Sequence, residues 1–196
     1  MDSFLKTILR TDQTIFSFKE LSMRFEAIAP NTLKTRLHYY VKNGDLYHIR
    51  RGLYAKNKNY NKFELAAKIL TPSYISFDTV LFQAGIIFQY FREIFVASYQ
   101  SRIIKCDDTT YIFKAIKPII LTNAAGIEFK EEYCIASPER AFLDTVYLQK
   151  QRHFDNLAPL NWDKVHELVP IYKNKSMQKR VLLYQELYKH QTMEIK

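Results

Sequence analysis

The chain has 196 residues, of which 47% are hydrophobic and 25% are charged, a balance typical of a folded globular protein rather than a disordered tail. Glycine and proline are scarce and no GxGxxG or GxxxxGK[ST] motif occurs, which argues against collagen-like chains, linkers and glycine-loop nucleotide-binding proteins. The 29 Lys and Arg outnumber the 20 Asp and Glu by nine, so the composition favours a polyanionic partner.

The basic charge is concentrated at the start of the chain. Residues 1–60 hold eleven Lys or Arg against five Asp or Glu, so their net charge is +6 of the total +9. The polar run over residues 56–62, KNKNYNK, is the one tract long enough to be a linker. The sequence therefore predicts a small basic domain over residues 1–58 and a larger, nearly balanced domain over residues 62–196.

Three amphipathic patterns in the basic domain predict three helices. The spacing of Ser17 and Glu20 is that of a capping box and starts the second helix. The third helix is expected to have Asn31 as its N-cap and to end at Gly44. The apolar faces of the three helices are predicted to be Phe4, Leu5, Ile8 and Leu9, then Phe18, Leu21 and Phe25, then Leu33, Leu37 and Val41.

Two short strands follow the third helix, over residues 46–49 and 53–55, and Arg50-Arg51-Gly52 forms the turn between them. The order helix, helix, turn, helix, two-stranded ribbon is typical of a winged helix-turn-helix. In that fold the third helix enters the major groove of DNA with its exposed face.

The residue types on this face suit contact with DNA. Lys and Arg neutralise phosphates, while amide and hydroxyl groups near the start of the helix meet base edges. The alternative is that the face is simply solvated. The predicted DNA-binding residues are Asn31, Thr32, Lys34, Thr35, Arg36, His38, Tyr39 and Lys42 on the helix, and Arg50 and Arg51 at the turn.

The rest of the chain has the pattern of a mixed α/β domain. Strands are predicted over residues 94–99, 101–106, 111–116 and 127–135. Helices are predicted over about 63–70, after Ser76, after Ser137-Pro138, after Asn161 and over about 176–190. The predicted fold class is therefore α+β: a winged helix-turn-helix, then a mixed α/β domain with a mainly antiparallel sheet and C-terminal helices.

Three segments resemble one known family. They are Val41–Ala55 (VKNGDLYHIRRGLYA), Tyr74–Leu81 (YISFDTVL) with Gly85-Ile86-Ile87 after it, and Ala136–Asp144 (ASPERAFLD). Together, in this order and spacing, they resemble the AbiEi family, the antitoxins of type IV toxin–antitoxin (abortive infection, phage defence) systems. The resemblance extends from about residue 3 to about residue 150.

The resemblance implies a two-part antitoxin. Its winged helix would bind inverted repeats in double-stranded operator DNA and repress its own operon, with self-association on the DNA left open. Its C-terminal domain would counteract a cognate nucleotidyltransferase-like toxin, without necessarily forming a stable complex. No cofactor is implied. Such antitoxins are often longer than this chain, so a stand-alone winged-helix regulator without antitoxin activity remains open.

Arg140 and Asp144 are one turn apart on the helix after Ser137. One hypothesis is that they present a surface needed for antitoxin activity. The other is that they pair with each other at a helix start that is docked on the sheet.

Two further classes of function compete with the regulator. A Mg²⁺-dependent nuclease would use Asp107-Asp108 with Glu128 and Lys130, which imitate a D…ExK set, although the two aspartates are expected in a turn. A protein-interaction module would use Phe88, Tyr90 and Phe91 as an exposed anchor. No other catalytic or metal-binding spacing is present in the sequence, and we expect a non-enzyme.

The sequence also indicates where the protein works. The longest apolar run, around residues 80–88, is interrupted by Gln83 and is much shorter than the ~18 residues that a membrane span needs. The N-terminus lacks the pattern of a signal peptide. We therefore expect a cytoplasmic protein with no membrane partner, in which Cys106 and Cys134 are reduced thiols.

Overall fold

A computed structural model describes residues 3–194 of the chain, so residues 1–2 and 195–196 of the two predicted domains lie outside the described residues. Residues 3–55, here called the N-terminal part, form three helices and a three-stranded antiparallel sheet with the strand order β1-β3-β2. The elements are α1 (Ser3–Arg10), β1 (Ile15–Ser17), α2 (Phe18–Arg24), α3 (Pro30–Lys42), β2 (Tyr47–Arg50) and β3 (Leu53–Ala55).

Local signals start and end these helices. The capping box of α2 is confirmed, because Ser17 Oγ accepts from the Glu20 N–H at 3.1 Å and the Glu20 carboxylate accepts from the Ser17 N–H at 2.8 Å. The prediction of Asn31 as the N-cap of α3 is wrong. The helix begins two residues earlier than predicted, at Pro30, whose ring fixes a helical φ, and Ala29 is the N-cap.

The three helices enclose a small core. Leu33 and Leu37 are fully buried as predicted, but Val41 is only half-buried and Tyr40 takes the third inward place. The ring of Tyr40 stacks on that of Phe4 with 5.8 Å between centroids. The buried residues of this core are Phe4, Leu5, Ile8, Phe16, Leu21, Leu33, Leu37, Tyr40 and Leu46.

Residues 60–194, the C-terminal part, contain a six-stranded sheet and most of the helices. For residues 191–194 the structure describes the backbone only. The elements are α4 (Lys62–Ile69), β4 (Ser73–Ile75), α5 (Phe77–Gln83), β5 (Ile94–Ser98), β6 (Arg102–Cys106), β7 (Thr109–Ala115), α6 (Pro118–Leu121), β8 (Ile127–Phe129), β9 (Cys134–Ala136), α7 (Pro138–Leu148), α8 (Trp162–Leu168), a 3₁₀ turn (Val169–Tyr172) and α9 (Lys175–Glu194).

The strand order of the large sheet is β6-β7-β5-β4-β9-β8. Three neighbouring pairs are antiparallel, and two pairs, β5 with β7 and β4 with β9, are parallel. The fold is therefore α+β as predicted, and the sheet is mainly antiparallel as predicted, with two parallel pairs among its five. Hydrophobic alternation along the sequence locates strands but does not give the direction of the neighbouring strand, so the two parallel pairs were not predicted.

Some elements escaped sequence reasoning because they are short. Strands β1 and β4 have three residues each, too few for an alternating pattern to be recognised. The predicted strand over 127–135 is two strands, since the Lys130 N–H donates to the Tyr133 carbonyl and closes a turn between them. Cys106 and Cys134 are free thiols. No helix within residues 3–194 is long and apolar enough to cross a membrane.

The N-terminal sheet belongs to two cores at once. Ile15 and Phe16 are neighbours on β1, and because side chains alternate along a strand they point to opposite faces. Phe16 packs in the small core, whereas Ile15 packs with Leu53 and Ala55 into the core of the C-terminal part. The N-terminal part is consequently packed against the rest of the molecule along the face of its sheet.

A buried carboxylate strengthens this junction. Glu64 of α4 is 1% exposed, and it accepts hydrogen bonds from the Thr14 N–H at 3.0 Å and the Ile15 N–H at 2.9 Å. The Thr14 hydroxyl donates to the same carboxylate. Buried polar groups are destabilising unless they are paired, so Glu64 satisfies backbone groups of the N-terminal part that would otherwise lack partners.

We expect Glu64→Ala to lower the free energy of unfolding by about 1–3 kcal/mol, because it leaves the buried Ile15 N–H and the half-buried Thr14 N–H without their acceptor. Urea denaturation measures the change. The matched control is Glu128→Ala, whose side chain is 57% exposed and whose loss should change stability by less than about 0.5 kcal/mol. Equal effects of the two substitutions would contradict the role assigned to Glu64.

Candidate nucleic-acid interface

The predicted DNA-binding residues of α3 lie on its solvent side. Seven of the eight are exposed, and the eighth, Arg36, is half-buried. Leu33 and Leu37 hold the opposite side of the helix in the small core, so the exposed face is fixed in direction. Asn31 lies in the first turn of the helix rather than at its N-cap, and its side chain remains exposed.

The predicted arginine turn joins β2 to β3. Arg51 is exposed and Arg50 is half-buried, next to a β-bulge between His48 and Arg50. Gly52 has a φ of +77°, a conformation that a residue without a Cβ adopts at no steric cost. The Phe18 N–H donates to the Gly52 carbonyl at 2.8 Å, which ties the turn to the first residue of α2.

Phe18 also connects this turn to α3. Lys34 Nζ lies 5.7 Å from the centroid of the Phe18 ring, within the range of a cation–π contact. Because Phe18 holds Gly52 through its backbone and Lys34 through its ring, the N-terminal half of α3 and the arginine turn lie close together.

Lys19, next to Phe18 in the chain, is exposed and was not among the predicted DNA-binding residues. A cation in the first turn of a helix is unfavourable to the helix dipole, since that end carries partial positive charge. This local conflict is the sequence signal by which Lys19 could have been noticed.

The surface around α3 and the turn is almost free of acidic residues. Residues 27–63 contain eight Lys or Arg and one acidic residue, Asp45. The nearby Glu20 is engaged by Lys68 of α4. Burial alone raises the pKa of Glu20, but Lys68 and the N–H and hydroxyl of Ser17 outweigh it and hold this pKa below its usual value. The Glu20 carboxylate thus stays ionised and is balanced by a lysine.

The geometry limits what some α3 side chains can do. The Thr35 hydroxyl donates to the Asn31 carbonyl at 3.0 Å, so its proton is used within the helix. Its remaining groups are an oxygen lone pair, which accepts from a base amino group, and a methyl group, which packs against thymine. Tyr39 is 59% exposed and its ring packs against Tyr40 at 5.7 Å.

The hypothesis that Arg140 and Asp144 present a surface is wrong, because both side chains are fully buried. The alternative of a pair within the helix is confirmed, with Arg140 Nε 3.5 Å from Asp144 Oδ1. The guanidinium donates to the Ala125 and Ile120 carbonyls at 2.8 and 2.7 Å. It lies between the rings of Tyr74 and Tyr172, 5.5 Å from each centroid.

Asp144 completes this buried network. Its carboxylate accepts from the hydroxyls of Tyr74 at 3.0 Å, Ser76 at 2.8 Å and Tyr172 at 2.7 Å. Ser76 stands at the N-cap of α5 as predicted, but its hydroxyl serves Asp144 instead of the helix backbone. The network joins β4, α7 and the 3₁₀ turn, so Arg140 and Asp144 stabilise the fold of the C-terminal part.

The structure also separates the residues of the nuclease hypothesis. Asp107 and Asp108 form the turn between β6 and β7, whereas Glu128 lies on β8, at the opposite edge of the six-stranded sheet. Asp107 accepts from the hydroxyls of Tyr47 at 2.8 Å and Tyr60 at 2.6 Å. Among the side chains described, those of residues 3–190, no three His, Cys, Asp or Glu are grouped to hold a metal. The D…ExK assignment of Asp108, Glu128 and Lys130 is therefore wrong.

The aromatic residues of the interaction-module hypothesis are partly available. Phe88 and Tyr90 are each 67% exposed. Phe91 is half-buried and packs edge-on against Phe95, with 5.6 Å between ring centroids, so it is not an exposed anchor.

Comparison with known proteins gives a structural likeness but no family. No family model matches the chain, and no protein of curated function matches it. Among solved structures, the crystal structure of the RV2827C protein from Mycobacterium tuberculosis is similar, with a TM-score of 0.49 and 9% sequence identity. The similarity covers 90% of this chain and 73% of that chain.

Proposed function

We propose that the N-terminal part is a winged helix-turn-helix that binds double-stranded DNA and represses transcription. The observation that supports this most is the connection of its elements, helix–strand–helix–helix–strand–strand, with the strand order β1-β3-β2. This arrangement turns the basic, nearly acid-free face of α3 outward beside the arginine turn. A positive face of this kind on a helix that the core holds from behind suits the major groove.

In this proposal the side chains divide the work. Lys19, Lys34, Arg36 and Lys42 contact phosphates, and Arg50 and Arg51 reach a flanking phosphate or the minor groove. The first turns of α3 read bases through Asn31, Thr32 and Thr35. His38 and Tyr39 lie further along the same face and contact the edge of the groove.

The three segments that resemble the AbiEi family extend the proposal. We infer that the protein is an antitoxin and autorepressor whose operator is an inverted repeat upstream of its own operon. The C-terminal part then counteracts a nucleotidyltransferase-like toxin. Because Arg140 and Asp144 are buried, their part in this activity is to hold β4, α7 and the 3₁₀ turn together.

DNA binding has a direct test. The six Lys and Arg assigned to phosphates and the flank predict that affinity for the upstream duplex falls about a thousandfold between about 50 and 200 mM salt, because each neutralised phosphate releases counterions. Fluorescence anisotropy of a labelled upstream duplex measures this, with a scrambled duplex as the control for sequence preference. Absence of binding at low salt would refute the proposal.

The antitoxin activity has a separate test. We expect that co-expression of this chain restores growth to cells that express a nucleotidyltransferase-like toxin encoded in the same operon. The N-terminal variant Arg50→Ala with Arg51→Ala is the control, since it should weaken operator binding and keep antitoxin activity. If the chain binds its operator and leaves the toxin active, it is a stand-alone regulator.

A further inference from the structure

Helix α9 has apolar side chains on two sides. Its inner stripe is buried or packed on the core as predicted, and consists of Met177, Val181, Tyr184 and Tyr188. Leu182, Leu183 and Leu187 are nevertheless 50%, 58% and 56% exposed. A surface helix normally has one apolar stripe and a polar opposite face, and three exposed leucines within six positions depart from that pattern.

Two of these leucines line a groove. A cavity of about 460 Å³ lies between α9 and the segment that follows α7. Its apolar floor is Leu183, Tyr184 and Leu187, and its rim includes Lys150, His153 and Arg180. These six residues define what is here called the α9 groove. None of the described residues that line it is acidic.

Lys150 and Arg180 keep positive charge at the rim of the groove, whereas His153 Nε2 lies 3.5 Å from Asp155 Oδ1. Lys150 has no carboxylate partner within residues 3–190. Arg180 donates to the Ser176 hydroxyl at 3.0 Å and the Val146 carbonyl at 2.8 Å, both of which are uncharged. Arg152, which also lines the groove, differs because it is paired with Asp78.

The groove is also built in advance of any partner. The Tyr184 hydroxyl donates to the Arg152 carbonyl at 2.7 Å and accepts from the Arg152 N–H at 3.3 Å. Its ring packs against Phe142 at 5.7 Å and Phe154 at 5.1 Å. The floor on α9 and the wall after α7 are therefore held together, which lowers the entropic cost of binding.

We propose that the α9 groove binds an acidic amphipathic helix of a partner protein. Leu183 and Leu187 are one helical turn apart and would meet the apolar stripe of that helix, while its carboxylates would meet Lys150 and Arg180. The proposal does not depend on DNA binding by the N-terminal part.

Two other occupants fit the groove less well. Single-stranded nucleic acid binds by stacking its bases on flat side chains, and leucine has no ring for this, so Leu183 and Leu187 would add little to its binding. A second copy of the chain would bring like charge to the rim, since α9 carries four Lys or Arg and one Glu between residues 175 and 190.

The test uses a labelled peptide of about five helical turns, with Leu on one face and Glu on the other, and a matched peptide with Lys in place of Glu. Fluorescence anisotropy with the full chain should show the acidic peptide bound at least about tenfold more tightly. Leu183→Ser with Leu187→Ser should weaken its binding about tenfold or more, and Lys150→Glu should weaken it as well.

Leu182→Ser is the matched control, because Leu182 is on the same helix and similarly exposed but does not line the groove. It should leave the affinity within about twofold of the original. Circular dichroism establishes that each variant is folded.

Several results would overturn the proposal. Equal affinity for the two peptides would show that the basic rim does not select for acidic partners. If Leu182→Ser weakened binding as much as Leu183→Ser with Leu187→Ser, the peptide would not be bound specifically in the α9 groove. Displacement of the peptide by random duplex DNA would assign the surface to nucleic acid. Sedimentation that shows a dimer, converted to a monomer by Leu183→Ser with Leu187→Ser, would assign it to a second copy of the chain.

Discussion

Replacing Asp144 with alanine is expected to lower the free energy of unfolding by about 3–5 kcal/mol. The substitution leaves the Arg140 guanidinium, which is 0% exposed, without its carboxylate partner. It also removes the acceptor of three hydroxyl groups, those of Tyr74, Ser76 and Tyr172. An uncompensated buried charge is among the most destabilising changes that a single substitution produces.

Urea denaturation followed by Trp162 fluorescence measures this loss. Asp108→Ala is the matched control, because it removes the same side chain from an exposed turn and should change stability by less than about 0.5 kcal/mol. Asp144→Asn keeps a hydrogen-bond acceptor but removes the charge, so its effect should lie between those of the two alanine variants. A value for Asp144→Ala within about 1 kcal/mol of the unsubstituted protein would contradict the buried-network assignment.

Removing both arginines of the β2–β3 turn is expected to weaken binding to operator and random DNA by the same factor, on the order of tenfold to a hundredfold at about 0.1 M salt. Arg50 and Arg51 are assigned to charge and not to base edges, so their loss carries no sequence information. The slope of log affinity against log salt should become less steep by about two.

Thr35→Ala is expected to behave differently. Its exposed oxygen and methyl group face the groove in the proposed complex, so their loss should cost about 1–3 kcal/mol at one base pair and little on random DNA. Anisotropy titrations with operator, single-base variants and random duplex separate the two behaviours. Lys105→Ala, a lysine exposed on the edge strand β6, is the control that should change neither. If Thr35→Ala and the arginine variant lose affinity equally on all duplexes, the assignment of Thr35 to base recognition and of Arg50 and Arg51 to charge is wrong.

Much of the N-terminal part was predictable because its signals are local. The capping box of Ser17 and Glu20 depends on two groups three residues apart, and the burial of Leu33 and Leu37 follows from helical periodicity. The exposure of the basic face of α3 follows from the same periodicity, because the side chains on the side opposite Leu33 and Leu37 face the solvent.

The misassigned surface pair and the unrecognised role of Glu64 both arise from contacts between distant parts of the chain. Arg140 and Asp144 look like a surface pair in the sequence, and they are buried because Tyr74, about 70 residues earlier, supplies a ring and a hydroxyl to them. Glu64 looks like an ordinary helix glutamate, yet it binds the backbone of residues 14–15 across about 50 positions. Neither partner is visible in a local pattern.

The sequence by itself determined the longer helices of this protein, which of them carries an exposed basic face and where the positive charge is concentrated. The tertiary structure alone decided that Phe18 brings Lys34 beside the arginine turn, that β1 contributes to two cores and that two leucines of α9 remain in an open groove. Helix formation and amphipathicity depend on neighbours within a few residues, whereas a shared core or a groove exists only when segments far apart along the chain pack together.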